Sequence, residues 1–248
     1  MPRDRRQKSE SGFFHVVLKG DGNMDLFDND KDRGKFLHIL DDVIRLFKVE
    51  IIAWCLMSNH IHLLLDDPDD ELSDCIHRIA TSYAVYYNDT IHRKGSVFQD
   101  RFFSAPVESD EQLVTCTFYI HDNPLNGMGI HPARYQWCSY HEYISVPERT
   151  RTDLLLDMLG GIEQFIAASE DRRRKTYYMV EGKTIPDDDI ANAARAVLGN
   201  IEPASVGKLA KDVRAPLIKK LRDIGLSVRQ IERITGAEKK MIVRDCAT

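Results

Sequence analysis

Long apolar runs are absent from this chain of 248 residues, and cysteine is scarce. No stretch approaches the roughly 20 apolar residues that a membrane-spanning helix needs, and the opening MPRDRRQKSE lacks the apolar core of a signal peptide. We therefore expect a cytoplasmic protein without a membrane partner. The five cysteines are widely spaced and include no CxxC pair, which argues against a disulfide framework and against a zinc site.

An overall excess of positive charge is also missing, since the net charge is −5. The charge is unevenly distributed, however. Residues 172–248 contain 17 Lys and Arg against 10 Asp and Glu, a net charge of +7, whereas residues 1–171 have a net charge of −12. Such asymmetry is a known indication that the basic part contacts nucleic acid. Taken alone, a basic stretch is more often a solvated face.

The composition, 43% hydrophobic and 29% charged, is typical of a folded globular protein. Up to residue 123, the hydrophobic patterns follow the order strand, helix, strand, strand, helix, strand, helix. This order predicts an α+β fold with a small, mostly antiparallel sheet and helices packed on one face. Two of the strands, 50–57 and 60–65, are separated only by Ser58 and Asn59, which predicts an antiparallel hairpin.

His60 and His62 lie two residues apart on the second strand of this hairpin. Alternate residues of a strand share a face, so both imidazoles are expected to project to the same side. Two such imidazoles can bind one divalent ion and leave room for a third ligand and a substrate oxygen. The pattern has low specificity by itself, and two histidines on a half-exposed strand are the alternative.

Tyr119 and Asn123 lie four residues apart in a segment that is expected to be helical. They share one helix face, so the helix could present a phenol and an amide oxygen to one point. A phenolate there would be a nucleophile for phosphorus. Helix packing is the alternative for any single tyrosine, and by spacing alone Tyr83, Tyr86 and Tyr87 are competitors.

The same helix has a recognisable beginning and an expected end. Ser109 and Gln112 form a capping-box pattern at its start. Asn123-Pro124 is expected to stop it, because the residue before a proline is disfavoured in the helical conformation. His121 would lie roughly opposite Tyr119 on this helix, so we expect it to be structural.

Six short segments, in this order, resemble the single-tyrosine HUH (IS200-like) transposases, in particular the REP-associated tyrosine transposases. HUH denotes a histidine, a hydrophobic residue and a histidine. The segments are FHVVLKG (14–20), LFDNDKDRGKFL (26–37), WCLMSNHIHLLL (54–65), GSVFQDRF (95–102), YIHDNPLNG (119–127) and YQWCSY (135–140). They extend over about residues 13–143, and their common order is far more specific than any one of them.

The resemblance implies a ferredoxin-like HUH nuclease core in residues 1–147. The family's histidine pair falls on His60 and His62, its catalytic tyrosine on Tyr119, and an additional polar metal ligand on Asn123. The implied reaction cleaves and rejoins single-stranded, hairpin or palindromic DNA with Mg²⁺ or Mn²⁺, through a 5′-phosphotyrosine intermediate and a free 3′-hydroxyl. The alternatives are a DNA-binding regulator without activity and a metal-dependent hydrolase that uses water. Relatives include monomers and homodimers, and the sequence does not decide between them.

The chain departs from the family pattern at four positions outside this catalytic set. Ser58 replaces the usual proline, which should loosen the turn before the histidines, and Phe98 replaces a common tryptophan. Phe118 stands where a basic residue is frequent, which would weaken a DNA contact. Lys19 stands where arginine is common. Lys19 and Arg101 are candidate phosphate contacts, with a solvated role as the alternative.

Residues 217–245 have the spacing of a helix-turn-helix motif. A second helix would start after a cap at Ser227, and a turn at 235–237 would lead into a basic helix. Residues 204–248 contain 11 Lys and Arg against 5 Asp and Glu. We therefore predict an all-α DNA-binding domain at 204–248, able to bind duplex DNA and joined by a helical connector at 148–203. Its predicted DNA contacts are Arg229, Lys239, Lys240 and Arg244. A helical bundle with a solvated basic face is the alternative.

Overall fold

The computed structural model describes residues 8–171, 190–199, 201–224, 226 and 228–246. The chain divides into two compact units, Met1–Lys175 and Thr176–Thr248. Over the described ranges, no helix combines the length and the apolar character needed to cross a membrane. Four cysteines are buried free thiols, as expected: Cys55, Cys75, Cys116 and Cys138.

The described residues of the first unit form four strands, six α-helices and two 3-10 turns. The strands are β1 (Phe13–Lys19), β2 (Glu50–Leu56), β3 (His60–Asp66) and β4 (Phe103–Pro106). The helices are α1 (Asp30–Phe47), α2 (Leu72–Thr90), α3 (Asp110–Met128), α4 (Tyr140–Ile144), α5 (Asp153–Leu159) and α6 (Ile162–Glu170). The predicted α+β class is confirmed.

The four strands form one sheet in the order β2-β3-β1-β4, with every neighbouring pair antiparallel. The hairpin of β2 and β3 is confirmed, because the Met57 amide donates to the His60 carbonyl at 2.9 Å and closes the predicted turn. On the other side of β3, β1 pairs Lys19 with His60 and Val17 with His62. The paired histidines therefore lie on a strand that has a neighbour on each side.

Strand alternation divides the sheet into two faces. One set of alternate residues packs into an apolar core with α1 and α2, and in β1 and β3 this set consists of Phe14, Val16, Leu18, Ile61, Leu63 and Leu65. The opposite face carries His15 and His62, against which the ring of Tyr119 from α3 packs. The fold therefore has helices on both faces of the sheet, whereas the sequence predicted helices on one face only. Helix α3 covers the second face.

Helix α3 begins where the sequence predicts and ends later. The Ser109 hydroxyl caps it by accepting a hydrogen bond from the Gln112 amide at 3.2 Å. The predicted stop at Asn123-Pro124 is wrong, because the helix includes Pro124 and continues to Met128.

The side chain before the proline explains this continuation. Proline has no N–H, so Pro124 cannot donate to the Ile120 carbonyl one turn earlier. The Asn123 side-chain amide instead donates to the carbonyl of Tyr119 at 2.9 Å and to that of Ile120 at 3.4 Å. A side-chain donor thus replaces the missing backbone donor.

The helices after residue 139 pack through an aromatic cluster centred on Phe165. This fully buried ring stacks on Tyr143, with 4.7 Å between ring centroids, and on Phe118 at 5.4 Å. His121 also contacts Phe165, and its Nε2 lies 2.8 Å from the Ser139 hydroxyl. This buried packing agrees with the predicted structural role of His121. The Phe118 side chain is buried in this cluster, against Phe165.

The described residues of the second unit form the helices α7 (Ile190–Leu198), α8 (Lys211–Asp223), α9 (Val228–Thr235) and α10 (Lys239–Cys246), together with a 3-10 turn at Pro203–Lys208. The predicted second and third helices of the motif correspond to α9 and α10, and Ser227, the predicted cap, lies outside the described residues. By packing, α5 and α6 lie within the first unit and α7 within the second. The functional division at residues 147 and 203 stays a prediction.

Two close contacts shape the second unit. A Cβ atom on Gly207 would lie 2.6 Å from the Thr235 carbonyl oxygen, so only glycine lets the 3-10 turn approach the end of α9. Asp245 in α10 forms a buried ion pair with Arg214 in α8, with 2.7 Å between the charged atoms. These contacts hold α9 against the 3-10 turn and α10 against α8.

Candidate active site

Strand β3 presents His60 and His62 on the face of the sheet that α3 covers. Their ring centroids lie 5.0 Å apart, in agreement with the predicted projection to one side. His62 is 3% exposed, whereas His60 is half-buried at the end of the strand. The pair therefore combines one enclosed imidazole with one that solvent or a ligand can reach.

Helix α3 brings Tyr119 and Asn123 to these histidines. The Tyr119 ring meets the His62 ring edge-on, with 5.6 Å between centroids. The Asn123 side chain forms a hydrogen bond with His62. The four residues that the sequence proposed for the catalytic set thus lie together, although two different elements carry them.

The three competing tyrosines lie elsewhere. Tyr83, Tyr86 and Tyr87 are on α2, and each hydroxyl donates to an acceptor in the segment 25–32. Burial raises the pKa of all three phenols, that of Tyr87 to about 12. They are poor sources of a phenolate, and of these four candidates Tyr119 is the one that faces the histidine pair.

A third histidine belongs to this site, and the sequence interpretation missed it. His15 on β1 is fully buried, and its Nε2 lies 2.9 Å from Nδ1 of His62. Its ring centroid is 5.6 Å from that of Tyr119. The available signal was its position in the FHVVLKG segment, but no local pattern places β1 beside β3.

The Nδ1 atoms of both β3 histidines are engaged. Nδ1 of His60 lies 2.7 Å from Oδ1 of Asn59, and Nδ1 of His62 faces His15. Ligand histidines in metalloproteins commonly donate one ring N–H to a neighbour and bind the metal through the other nitrogen. Nε2 of each imidazole is therefore the atom suited to a ligand.

The protonation of the buried pair favours this role. Burial lowers the pKa of His15 to about 3. The pKa of His62 lies well below its usual value, mainly because of burial and then because of the charges of His60, His15 and Lys19. Both rings are therefore neutral at neutral pH, and a neutral imidazole can offer a lone pair.

The donor set of His60, His62 and Asn123 can hold a divalent ion. Among the described residues, no group of three or more His, Cys, Asp and Glu side chains is arranged to bind a metal. The site instead combines two imidazole nitrogens with a neutral amide oxygen, and both kinds of atom are known metal ligands. No carboxylate enters the set, so its affinity depends on how well the imidazoles are oriented.

The predicted phosphate contacts of the first unit lie near this site. Lys19 is the cross-strand partner of His60, so its half-exposed side chain lies on the same face of the sheet. Arg101 is exposed in the segment that enters β4, shortly after Phe98 pairs with Gly20. Both cations therefore lie at the end of the sheet where His60 is located.

The predicted contacts of the second unit lie on or near α10. Lys240 and Arg244 are exposed and, four residues apart, share one face of that helix. The side chains of Arg229 and Lys239 lie outside the described residues. Two of the four predicted cations are thus seen to face solvent together.

Comparison with known proteins finds a family model that matches part of the first unit. Residues 9–123 match the family model described as transposase IS200-like. A solved structure of a REP-associated tyrosine transposase bound to a REP hairpin matches with 18% identity and a TM-score of 0.50, over 58% of this chain and 86% of that chain. This likeness supports a common fold.

A second solved structure, of a protein from Deinococcus radiodurans R1 provisionally named a transposase, has 17% identity and a TM-score of 0.35, over 49% of this chain and 97% of that chain. A score this low supports no argument. A comparison with curated proteins gives no match. Residues 9–123 of this chain thus contain a domain that matches the IS200-like transposase family model.

Proposed function

We propose that this protein is a metal-dependent transposase that cleaves and rejoins single-stranded or hairpin DNA through a tyrosine nucleophile. The observation that carries the proposal is the packing of Tyr119 from α3 against His62 of β3, whose ring lies beside that of His60. The hairpin substrate is proposed by analogy with the solved REP-associated transposase, which holds a REP hairpin.

In the proposed reaction, Tyr119 is the catalytic residue. Its phenolic oxygen forms a bond to phosphorus as the bond from phosphorus to the 3′ oxygen breaks. The phenol loses a proton, the leaving 3′ oxygen gains one, and a 5′-phosphotyrosine remains. Attack by a 3′-hydroxyl on this adduct releases Tyr119 and joins DNA ends without nucleotide hydrolysis.

His60, His62 and Asn123 would hold the divalent ion, which supplies positive charge that stabilises the phosphoryl oxygens. Mn²⁺ suits two imidazoles and an amide better than Mg²⁺, because Mg²⁺ prefers oxygen ligands throughout. Lys19, the cross-strand partner of His60, would contact the same phosphate. The edge-on packing of Tyr119 against His15 and His62 limits the movement of its ring.

The second unit has a separate proposed role. Helices α9 and α10 are joined by the three residues 236–238, a length typical of helix-turn-helix motifs. We propose that α10 contacts duplex DNA through Lys240 and Arg244 and so directs the nuclease to its target. A regulator without catalytic activity would use the same surface.

One experiment separates these functions. The full chain is incubated with labelled hairpin-containing single-stranded DNA and Mn²⁺ and is then denatured. We expect a covalent adduct with the unmodified protein and with Tyr86→Phe, a matched control on α2, and no adduct with Tyr119→Phe. Cleavage that survives Tyr119→Phe would indicate hydrolysis by water. DNA binding without cleavage by the unmodified protein would indicate a regulator, and either result contradicts the proposal.

A second variant tests the histidine pair. His60→Ala is expected to abolish cleavage while hairpin binding persists, because the half-buried ring lies at the end of its strand and its loss leaves the core intact. Cleavage at the normal rate by His60→Ala would contradict a catalytic ion held by this residue.

A further inference from the structure

The two β3 imidazoles are held by different neutral side chains. His60 is held by Asn59, its neighbour in the turn that joins β2 and β3, at 2.7 Å. His62 is held by His15, which lies 47 residues earlier in the chain, at 2.9 Å. In both cases the nitrogen engaged is Nδ1.

The chemistry of these partners determines where the ring protons lie. An amide oxygen only accepts, so the contact with Asn59 Oδ1 places the proton of a neutral His60 on Nδ1 and leaves a lone pair on Nε2. In the pair of His15 and His62, one nitrogen must donate and the other accept. His62 can offer Nε2 to a cation only when its Nδ1 is the donor and His15 Nε2 is the acceptor. Asn123, which also hydrogen-bonds His62, is the partner that competes with His15 for the position of this proton.

Building on the proposed function, we propose that His15 is a positioning residue that fixes the orientation and tautomer of His62, with Nε2 available to the divalent ion. Partners of this kind around ligand histidines typically change metal affinity 10–100-fold when they are removed. His15 contributes no atom to the ion itself. Its effect passes through His62.

The burial of His15 and its contact with Tyr119 support this positioning role. The side chain is completely buried between the sheet and α3. The same ring packs edge-on against Tyr119, with 5.6 Å between centroids. One residue therefore contacts both the ring of the nucleophile and the orienting nitrogen of a ligand.

Two substitutions distinguish an orienting role from simple filling of space. His15→Gln keeps an acceptor at a similar distance from the backbone, whereas His15→Met fills similar volume without one. We expect His15→Met to weaken Mn²⁺ binding 10–100-fold in calorimetry and His15→Gln to retain affinity within a few-fold. His121→Met, a buried histidine on the other side of α3, is the control and should leave Mn²⁺ affinity unchanged.

Long-range ¹H–¹⁵N spectra of the metal-free protein report the tautomer of His62. This tautomer would not change if His15 only filled space. We expect His62 as the Nδ1-protonated tautomer in the unmodified protein and in His15→Gln, and a shift towards the Nε2-protonated form in His15→Met. If His15→Met does not fold, the tautomer of His62 in the unmodified protein still tests the proposed role of His15.

An Nε2-protonated His62 in the unmodified protein, or unchanged Mn²⁺ affinity in folded His15→Met, would overturn the inference. Both measurements are made without DNA. Failure of the unmodified protein to cleave DNA would therefore count against the proposed function and leave the assignment of His15 standing.

Discussion

The Asn123 side-chain amide donates to the backbone carbonyl of Tyr119, 2.9 Å away and one turn earlier in α3. The same side chain hydrogen-bonds His62 on β3. One amide thus ties the backbone of the proposed nucleophile to the strand of the proposed metal ligands. It also lies directly before Pro124, where the helix lacks a backbone donor.

This double role predicts an energetic coupling between Asn123 and Pro124. In Pro124→Ala, the backbone amide of residue 124 can donate to the Ile120 carbonyl, so the Asn123 side chain is no longer needed there. Asn123→Ala should therefore cost about 0.5–1 kcal/mol more in the unmodified chain than in Pro124→Ala, which is the scale of one hydrogen bond. Urea denaturation of the four proteins measures this difference, and the helix propensity of alanine cancels in it. Equal costs in both backgrounds would show that Asn123 does not compensate for the proline.

Glu142 in α4 fixes the chain that follows this helix. Its Oε2 accepts from the backbone amides of Glu148, Arg149 and Thr150 at 2.8–2.9 Å, and its Oε1 accepts from Trp54 Nε1 at 3.0 Å. Burial alone would raise the pKa of Glu142, but these hydrogen bonds hold it below its ordinary value of 4.5. The ionised carboxylate therefore stabilises the fold.

The pH dependence of this contribution follows from the direction of the shift. A lowered folded pKa gives stability that is complete above the unfolded pKa and is lost as the pH falls through the folded pKa. Glu142→Gln should lower the free energy of unfolding by about 2 kcal/mol at pH 7, as expected for hydrogen bonds to a charged group. The difference from the unmodified protein should shrink as the pH falls below 4.5.

Urea denaturation at several pH values measures both effects. Glu148→Gln is the matched control, because that side chain is 76% exposed and should change stability little. A difference between Glu142→Gln and the unmodified protein that stays constant from pH 7 to the acid limit would contradict the role of the ionised form.

The elements that the sequence predicted correctly are those with a clear local residue pattern. Alternating apolar residues define β2 and β3, and the Ser109 cap marks the start of α3. The end of α3 could not be predicted by the proline rule, because a side chain at Asn123 supplies the missing donor. The sequence also failed to predict that helices cover both faces of the sheet. The apolar pattern of α3 shows that the helix packs against something, but it does not determine which face of the sheet it covers.

The candidate site also contains residues that local spacing predicts and one residue that it does not. The spacing of His60 and His62 on a strand, and of Tyr119 and Asn123 on a helix, is enough to predict that each pair shares a face. His15 reaches His62 only through the register of β1 with β3, across 47 residues of sequence. Long-range register is set by how whole strands bury their apolar sides, and a single short motif does not contain that information.

The buried pair of Arg214 and Asp245 predicts a stability effect in the second unit. Its side chains are 8% and 0% exposed, and the pair joins α8 to α10. Asp245→Asn should destabilise this unit by about 3–5 kcal/mol, because it leaves the Arg214 charge buried without its partner. Replacing both residues in Arg214→Met with Asp245→Leu should recover much of the loss, since apolar pairs of similar volume often substitute well.

Thermal unfolding of the full chain, followed by a probe of the second unit, measures these variants. Arg244→Met is the control, because Arg244 is 62% exposed and lies 4.0 Å from the same carboxylate; exposed pairs contribute little. If Asp245→Asn were no more destabilising than Arg244→Met, the buried pair would not be what holds α10 in place.

The exposed face of α10 predicts how duplex DNA binding depends on salt. Lys240 and Arg244 together are expected to neutralise two phosphates. Their replacement by alanine should weaken binding to a duplex of mixed sequence and reduce the slope of log affinity against log salt concentration by about 2. Fluorescence anisotropy with the full chain and EDTA measures the slope without cleavage by the first unit.

Lys219 and Lys220 on α8 provide a control with the same change in charge, because both side chains are exposed and lie outside α9 and α10. Their replacement by alanine should leave the slope close to that of the unmodified protein, since only cations in contact with phosphates release counterions on binding. An equal reduction of the slope in both double variants would mean that general positive charge, rather than the α10 face, attracts the duplex. An unchanged slope in the α10 variant would contradict the proposed contact.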